Sequence, residues 1–320
     1  MIQRILAWLV PLGVIVFVSS CAERENAQQE TVAINEEPAA AVEGPRPLIA
    51  ASNYPVEFLT SEMIGDAAEV WLPVPSGEDP AYWKPAAADI EKMQSANLII
   101  LNGAGYEKWL PTVTLPENKM VDTAQGFSDQ WITDQHPTTH SHGPGGEHTH
   151  GEIDFNTWLD LDLALRQAEA IKDRLVLEFP AEALTIQENF QALKQRLLEL
   201  DLKLEAALEP WADRPVIASH PVYSYLARAH GIADLESLHW EPLTEPSDED
   251  WKAFDALLSR HRASWMLWEG EPSDGARSGL EERGITPIVF ITGGARPDSG
   301  DYVSVMEANI QRLTEALDDK

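Results

Sequence analysis

Residues 181–208 read AEALTIQENFQALKQRLLELDLKLEAAL, and this stretch predicts a long helix. Its large apolar residues recur at helical spacing and share one stripe: Phe190, Leu193, Leu197, Leu200, Leu204 and Leu208. Such a stripe is typical of a helix with one face in a core. A helix of about 28 residues spans about 42 Å, which is long enough to cross between two lobes.

Strands and helices alternate on both sides of this helix. Strands are predicted at 47–55 (running into a turn), 68–73, 98–101, 215–220, 263–268 and 285–291. Helices are predicted at 56–64, 86–94, from 106, and at 158–177, 222–230 and 302–317. Alternation of this kind favours mainly parallel sheets. We therefore expect an α/β protein of two lobes, each a mainly parallel sheet flanked by helices, joined by one long inter-lobe helix.

The domain plan follows from these elements. The first lobe is predicted at 48–180, the connecting helix at 181–211 and the second lobe at 212–320.

The N-terminus predicts export. Residues 1–20 combine Arg4, a short apolar run and small residues, as in a secretory signal peptide. Cys21 is the only cysteine, and Val18-Ser19-Ser20-Cys21 resembles the lipobox of bacterial lipoproteins. We expect Cys21 to carry lipid, with residues 21–47 as a disordered tether. The protein would then be a membrane-anchored lipoprotein of the periplasm.

The composition is strongly acidic. Asp and Glu number 53 against 23 Lys and Arg, a formal net charge of −30. This charge repels nucleic acid, so no nucleic-acid partner is expected. It attracts cations, although a solvated acidic surface accounts for it equally well.

Five of the nine histidines lie within fifteen residues, the segment 136–150. They are His136, His140, His142, His148 and His150. His-rich short tracts are a metal-binding composition, and the Gly and Pro around them predict a flexible loop that captures or delivers metal. A solvated low-complexity loop is the alternative.

Other aromatic and histidine residues give weaker signals. His230, His239 and His261 are expected at the surface. Five tryptophans could line a cleft for a flat organic ligand or pack in the core: Trp71, Trp83, Trp109, Trp131 and Trp158. The chain has neither a His-Glu-x-x-His motif nor a Gly-x-Ser-x-Gly motif, so we expect no enzyme.

The order of motifs resembles the zinc- and manganese-binding solute receptors of bacterial ABC importers. The collinear motifs cover nearly all of residues 48–320: Tyr54-Pro55, Gly77-Glu78-Asp79-Pro80, Asn102-Gly103, Trp109-Leu110, the His-rich insertion, Trp158-Leu159-Asp160, Ser219-His220, Trp268-Glu269 and Gly300-Asp301-Tyr302. The resemblance implies two α/β lobes joined by a long helix, with metal held in the cleft between them.

The resemblance also implies four metal ligands, and this chain departs from most of them. Two expected histidines are replaced by Ala81 and Asn156, while the third is His220. The expected aspartate falls in the stretch Ile291-Thr292-Gly293-Gly294. One imidazole alone does not make a zinc site, so the cleft binds something else, recruits outside ligands or no longer binds at all.

Glu152 and Glu269 are further oxygen candidates. The His-rich loop, with His148, His150 and Glu152, could fold onto His220 and rebuild a site. The alternatives are structural: a hydrogen-bonded strand-end role for His220 and a capping or inter-lobe hydrogen bond for Glu269.

Two functions remain open from the sequence. The first is a substrate-binding protein, expected to be a monomer, that captures a divalent transition metal for an ABC importer permease. Zinc is the expected metal, with nickel, copper, cobalt or manganese also compatible with imidazole and carboxylate ligands. The second is a periplasmic metal buffer or chaperone that uses only the His-rich loop.

Overall fold

The computed structural model describes residues 46–133, 139–141, 147–149 and 153–318. The first lobe is built on a four-stranded sheet of β1 (Leu48–Ala51), β2 (Glu69–Trp71), β3 (Leu98–Leu101) and β4 (Met120–Asp122). Its order is β2-β1-β3-β4 and every pairing is parallel. The strands are short apolar runs that alternate their side chains between two faces. Helices α1 (Tyr54–Ile64), α2 (Ala87–Ser95) and α3 (Leu161–Glu178) complete this part of the chain.

The second lobe repeats the plan. Its strands are β7 (Val216–Ala218), β8 (Leu235–Ser237), β9 (Trp265–Trp268) and β10 (Thr286–Val289), in the order β10-β9-β7-β8 and all parallel. Its helices are α5 (Ser224–Ala229), α6 (Asp248–Arg260), α7 (Asp274–Glu282) and α8 (Tyr302–Asp318). The two parallel sheets confirm the predicted fold class.

Helix α4 (Ala183–Leu208) is the predicted long helix. It packs against α1 and α3 of the first lobe and against α8 of the second. All six residues of the apolar stripe are buried, and they belong to a core that runs from Ile49 in the first sheet to Leu313 in α8. Burial of a large aliphatic or aromatic side chain contributes about 1.5–3 kcal/mol, so this stripe fixes the helix between the two sheets.

Three expectations are corrected. The helix predicted from residue 106 is absent; turns lead instead to a short 3₁₀ segment, Leu110–Thr112. The His-rich segment contains two short strands, β5 (Thr139–Ser141) and β6 (Glu147–Thr149), which pair antiparallel. His261 is buried, with its Nε2 3.0 Å from Val216 O in β7. The side chain of His230 is also buried, with its Nε2 3.9 Å from Asp201 Oδ1 on α4, whereas His239 is exposed as expected.

The N-terminal expectations lie outside the described residues. Nothing in the structure therefore tests the signal peptide, Cys21 or the tether. Within the described ranges, no helix combines the length and apolar character needed to cross a membrane.

Candidate metal centre

A cleft lies at the carboxyl ends of the strands of both sheets. In each sheet the strand order reverses direction beside the first strand of the lobe, β1 in one and β7 in the other. Open parallel sheets bind ligands in the crevice outside such a reversal. The cleft has a volume of about 820 Å³ and is lined by residues from both lobes.

The second lobe places three potential metal ligands in this cleft. His220 follows β7, Glu241 follows β8 and Glu269 directly follows β9. His220 Nδ1 lies 3.5 Å from Glu241 Oε1 and 3.8 Å from Glu269 Oε1. One ligand atom from each residue lies within 4.8 Å of the other two. We call these residues the triad.

Burial differs among the three side chains. His220 is 3% exposed, whereas Glu241 and Glu269 are 28% and 23% exposed. The imidazole therefore lies at the base of the site and the two carboxylates line its opening. An arrangement with one nitrogen and two oxygen donors suits a divalent transition metal.

The backbone of the second sheet holds the triad in register. Ser219 N donates to Leu267 O at 2.8 Å, and Trp240 N donates to Ser219 O at 2.7 Å. These bonds extend the sheet by one residue beyond β7 and bring the segments before His220, Glu241 and Glu269 side by side. The ring of His239 meets that of His220 edge to face, with centroids 5.5 Å apart.

Sequence reasoning proposed His220 and Glu269 but missed Glu241. Glu241 was missed because the strand before it, β8, was not predicted. This strand has only three residues, LES, and little apolar character. Had the strand been recognised, the rule that ligands follow strand ends would have pointed to Glu241.

The other expected ligand positions do not join the triad. Ala81 is buried in the first-lobe core. Asn156 lines the cleft, but its Nδ2 donates to Asp154 Oδ1 at 3.1 Å. The Ile291–Gly294 stretch brings Thr292 and Gly294 to the cleft, neither of which carries a carboxylate.

Most of the His-rich segment lies outside the described residues. This holds for His136, His142, His150 and Glu152, whose roles stay predictions. His140 and His148 lie in β5 and β6, where they are directly opposite in the antiparallel register.

The first lobe contributes an aromatic wall to the cleft. Its members are Tyr82, Trp83, Tyr106, Phe155 and Trp158. Tyr106 meets Phe155 and Trp158 edge to face, at 5.0 and 5.7 Å between centroids. Burial, assisted by the nearby charge of Asp79, raises the pKa of Tyr82 to about 12 and holds the pKa of Tyr106 well above its usual value. Both phenols therefore stay neutral near pH 7 and are poor anionic ligands.

Behind this wall, the polar groups at the ends of β1 and β3 bond to one another. The Ser52 hydroxyl donates to Glu107 Oε1 at 2.6 Å, and the Asn102 and Gly103 amides donate to the same carboxyl group. Asn53 Nδ2 donates to Asn102 Oδ1 at 3.2 Å. Burial raises the pKa of Glu107 to about 7. We call this the Glu107 network; it is structural, since its carboxyl oxygens are engaged by the donors around them.

The loop between β10 and α8 joins the two lobes beside the cleft. Trp158 Nε1 donates to Thr292 O at 2.8 Å, and Tyr54 N donates to Gly294 O at 3.2 Å. Arg296 forms an ion pair with the buried carboxylate of Glu57 on α1. This loop therefore fixes the first-lobe wall relative to the second sheet.

Comparison with known proteins agrees with this architecture. The model of a family described as zinc-uptake complex component A, periplasmic (ZnuA), matches residues 49–316. The zinc-binding lipoprotein AdcA of Streptococcus pneumoniae is 26% identical over 276 residues, 83% of this chain and 54% of AdcA. The chain thus spans about half the length of this relative.

Solved structures share the fold. The metal-dependent lipoprotein YcdH from Bacillus subtilis superposes with a TM-score of 0.72 and 21% identity, covering 84% of this chain and 99% of YcdH. The Zn(II)-bound ZnuA-like domain of Streptococcus pneumoniae AdcA gives a TM-score of 0.71 and 22% identity, covering 85% and 98%.

Proposed function

The chain belongs to the ZnuA family of zinc-uptake components, and from this premise we propose that it captures zinc outside the cytoplasm for an ABC importer. Members of this family are substrate-binding proteins rather than enzymes. In this proposal the metal is cargo, bound in the cleft and released to a permease partner.

The triad is the observation that carries the proposal. Zinc bound to nitrogen and oxygen at about 2.0–2.2 Å in a tetrahedron has ligand atoms about 3.4 Å apart. The separations of His220 Nδ1 from the two glutamate oxygens, 3.5 and 3.8 Å, lie within a few tenths of an ångström of that value. Small rotations of the two half-buried carboxylates would close the remaining gap.

Several facts favour zinc over other divalent metals without excluding them. The family model is one of zinc uptake, and the relative AdcA is described as zinc-binding. The donor set also accommodates nickel, copper, cobalt and manganese, whose binding at equilibrium depends on supply as well as on affinity. Competition titrations against zinc would rank them.

The His-rich segment is proposed as an accessory that collects metal near the cleft. In the hairpin of β5 and β6, His140 and His148 are opposite each other in the antiparallel register. The competing role is a metal buffer that works through this segment alone. In that role the cleft is not needed for zinc binding.

Deletion of residues 136–150 separates the two roles. If the cleft is the receptor site, one tight zinc site should remain after the deletion, and calorimetry should give a stoichiometry near one. Loss of all zinc binding on deletion would instead establish the buffer.

We further propose that the protein is an anchored lipoprotein of the periplasm, tethered through Cys21, and acts as a monomer. Metabolic labelling with a radioactive fatty acid tests the anchor. Label should enter the intact protein and be absent after Cys21→Ala; label that persists in the variant would exclude this attachment point.

A further inference from the structure

The three metal ligands of the cleft all come from one wall. His220, Glu241 and Glu269 project from the second lobe, and the described part of the first lobe adds no ligand to the triad. A four-coordinate ion would keep one open position, and a six-coordinate ion three. The aromatic wall of the first lobe lines the same cleft.

The cleft is much larger than an ion needs. Its volume is about 820 Å³, whereas a water molecule takes about 30 Å³. Sites for small organic molecules occupy about 300–1,000 Å³ and are lined mainly by apolar and aromatic groups. The cleft therefore has the size and lining of a small-molecule site with a metal-binding base.

The aromatic wall is an ordered apolar surface. Phe155 and Trp158 both pack edge to face on Tyr106, and Trp158 is held by its hydrogen bond to Thr292 O. Tyr106, Phe155 and Trp158 are 2%, 9% and 1% exposed, so only small parts of these rings reach the cleft. Contact with side chains that are already ordered costs little conformational entropy, and a ligand bound to the metal would meet a prepared apolar surface.

The charge of the cleft selects among such ligands. Its lining includes four carboxylates, Glu78, Asp79, Glu241 and Glu269, and no Lys or Arg among the described lining residues. One divalent ion would neutralise only half of that charge. Anionic chelators would add to the imbalance, while neutral or cationic nitrogen donors would not.

We propose that the metal enters this cleft as a complex with a small neutral or cationic nitrogen-donor chelator, which fills its open coordination positions and packs against the first-lobe aromatic wall. This inference rests on the proposed function, because it requires the triad to hold the ion. It adds the chemical class of the second component of the ligand.

The test uses 2,2′-bipyridine, a flat, neutral chelator with two nitrogen donors. Calorimetry would measure its affinity for the zinc-loaded protein, for aqueous zinc and for the metal-free protein. We expect binding to the zinc-loaded protein to be at least about tenfold tighter than to aqueous zinc, because the bound chelator buries apolar surface against the cleft. Citrate, an anionic chelator, should bind protein-held zinc at least about tenfold more weakly than aqueous zinc.

A matched pair of variants tests the aromatic wall. Phe155→Leu removes a ring that lines the cleft, and Phe179→Leu makes the same change at a comparably buried core position outside it. Because Phe155 is only 9% exposed, Phe155→Leu should weaken bipyridine binding about two- to threefold and leave the affinity for zinc alone unchanged. Phe179→Leu should change neither affinity.

The outcomes separate this inference from the proposed function. Suppose that the protein binds zinc tightly, but that bipyridine either binds protein-held zinc no better than aqueous zinc or strips zinc from the protein. Either result would overturn the inference and leave a receptor for the bare ion. Equal binding of bipyridine to metal-free protein would also overturn it. Failure to bind either zinc or its complex would overturn the proposed function as well.

Discussion

The two sheets have the same strand order, yet their strand ends use polar residues in opposite ways. In the first lobe, Ser52 and Asn102 follow β1 and β3 and are consumed by the Glu107 network. In the second lobe, His220 and Glu269 follow the equivalent strands β7 and β9 and join Glu241 at the cleft. Topology therefore determines where polar groups gather, and the local hydrogen-bond partners determine whether they are available to a ligand.

This contrast assigns separate tasks to the lobes. The second lobe supplies the three candidate metal ligands. The first supplies an aromatic wall supported by a buried polar network, together with two further cleft carboxylates, Glu78 and Asp79. Substitutions at the strand ends of the second lobe should therefore lower the affinity for zinc. Substitutions at the strand ends of the first lobe should lower the free energy of unfolding.

The largest effect is expected from removing both triad carboxylates. Glu241→Gln combined with Glu269→Gln keeps the side-chain volumes but replaces charged ligands by weak neutral ones. Loss of a group that only orients a ligand costs about 10–100-fold in metal affinity, so this double change should exceed 100-fold. Competition with a zinc-sensitive dye measures it.

Glu78→Gln is the control for that double variant, since Glu78 lines the cleft outside the triad. It should weaken zinc binding less than tenfold. If the double variant binds zinc as tightly as the wild type does, Glu241 and Glu269 are not metal ligands.

In the first lobe, Glu107→Ala should reduce stability without changing zinc affinity. The change leaves the Ser52 hydroxyl and the Gly103 amide without their buried acceptor. We expect the free energy of unfolding to fall by roughly 3–5 kcal/mol, measured by urea denaturation. The exposed Glu117→Ala should have no effect, and a loss of zinc binding in folded Glu107→Ala would contradict the division between lobes.

Glu107 should also give the first lobe a pH-dependent stability. Its pKa is raised from 4.5 to about 7 in the folded protein, so between these values the folded state keeps a proton that the unfolded chain has lost. Its contribution is complete below pH 4.5 and disappears as pH rises through 7. Relative to Glu107→Gln, the free energy of unfolding of the wild type should fall by roughly 3 kcal/mol over this pH range. The measurement is urea denaturation at a series of pH values, and an identical pH dependence in the two proteins would refute this expectation.

The smallest effect concerns the contact between the lobes. Arg296→Met removes the partner of Glu57, whose pKa is raised by burial and held down by this arginine. Arg296 is 60% exposed, so solvent screening limits the loss to about 1 kcal/mol. Arg277→Met breaks an exposed ion pair with Glu271 inside the second lobe and serves as the control. If both variants lose the same free energy of unfolding, the contact between the lobes contributes no more than an ordinary surface ion pair.

The fold was predictable where apolar patterns were strong. The stripe from Phe190 to Leu208 predicted α4 to within two residues at its start, and the run 98–101 predicted β3 without error. Helix α6 was missed because it is rich in acidic residues, although Ser247 and Asp250 form a capping box that marks its start.

The site was less predictable because its ligands depend on tertiary placement. The helix expected from residue 106 fails because Glu107 turns inward to serve the Glu107 network and Ala104 adopts a positive φ of 52°. Glu241 was missed because it follows a strand too short and too polar to recognise. Three residues distant in sequence became one site only through the alignment of β7, β8 and β9.

Zinc titration calorimetry at pH 7.5 on the protein lacking residues 136–150, with and without His220→Ala, asks whether the second lobe holds a receptor site. We expect one tight site that survives the deletion and binds zinc more than 100-fold more weakly when His220 is replaced. A deletion protein that has lost all zinc binding, or one whose affinity ignores His220, would contradict a receptor site in the second lobe.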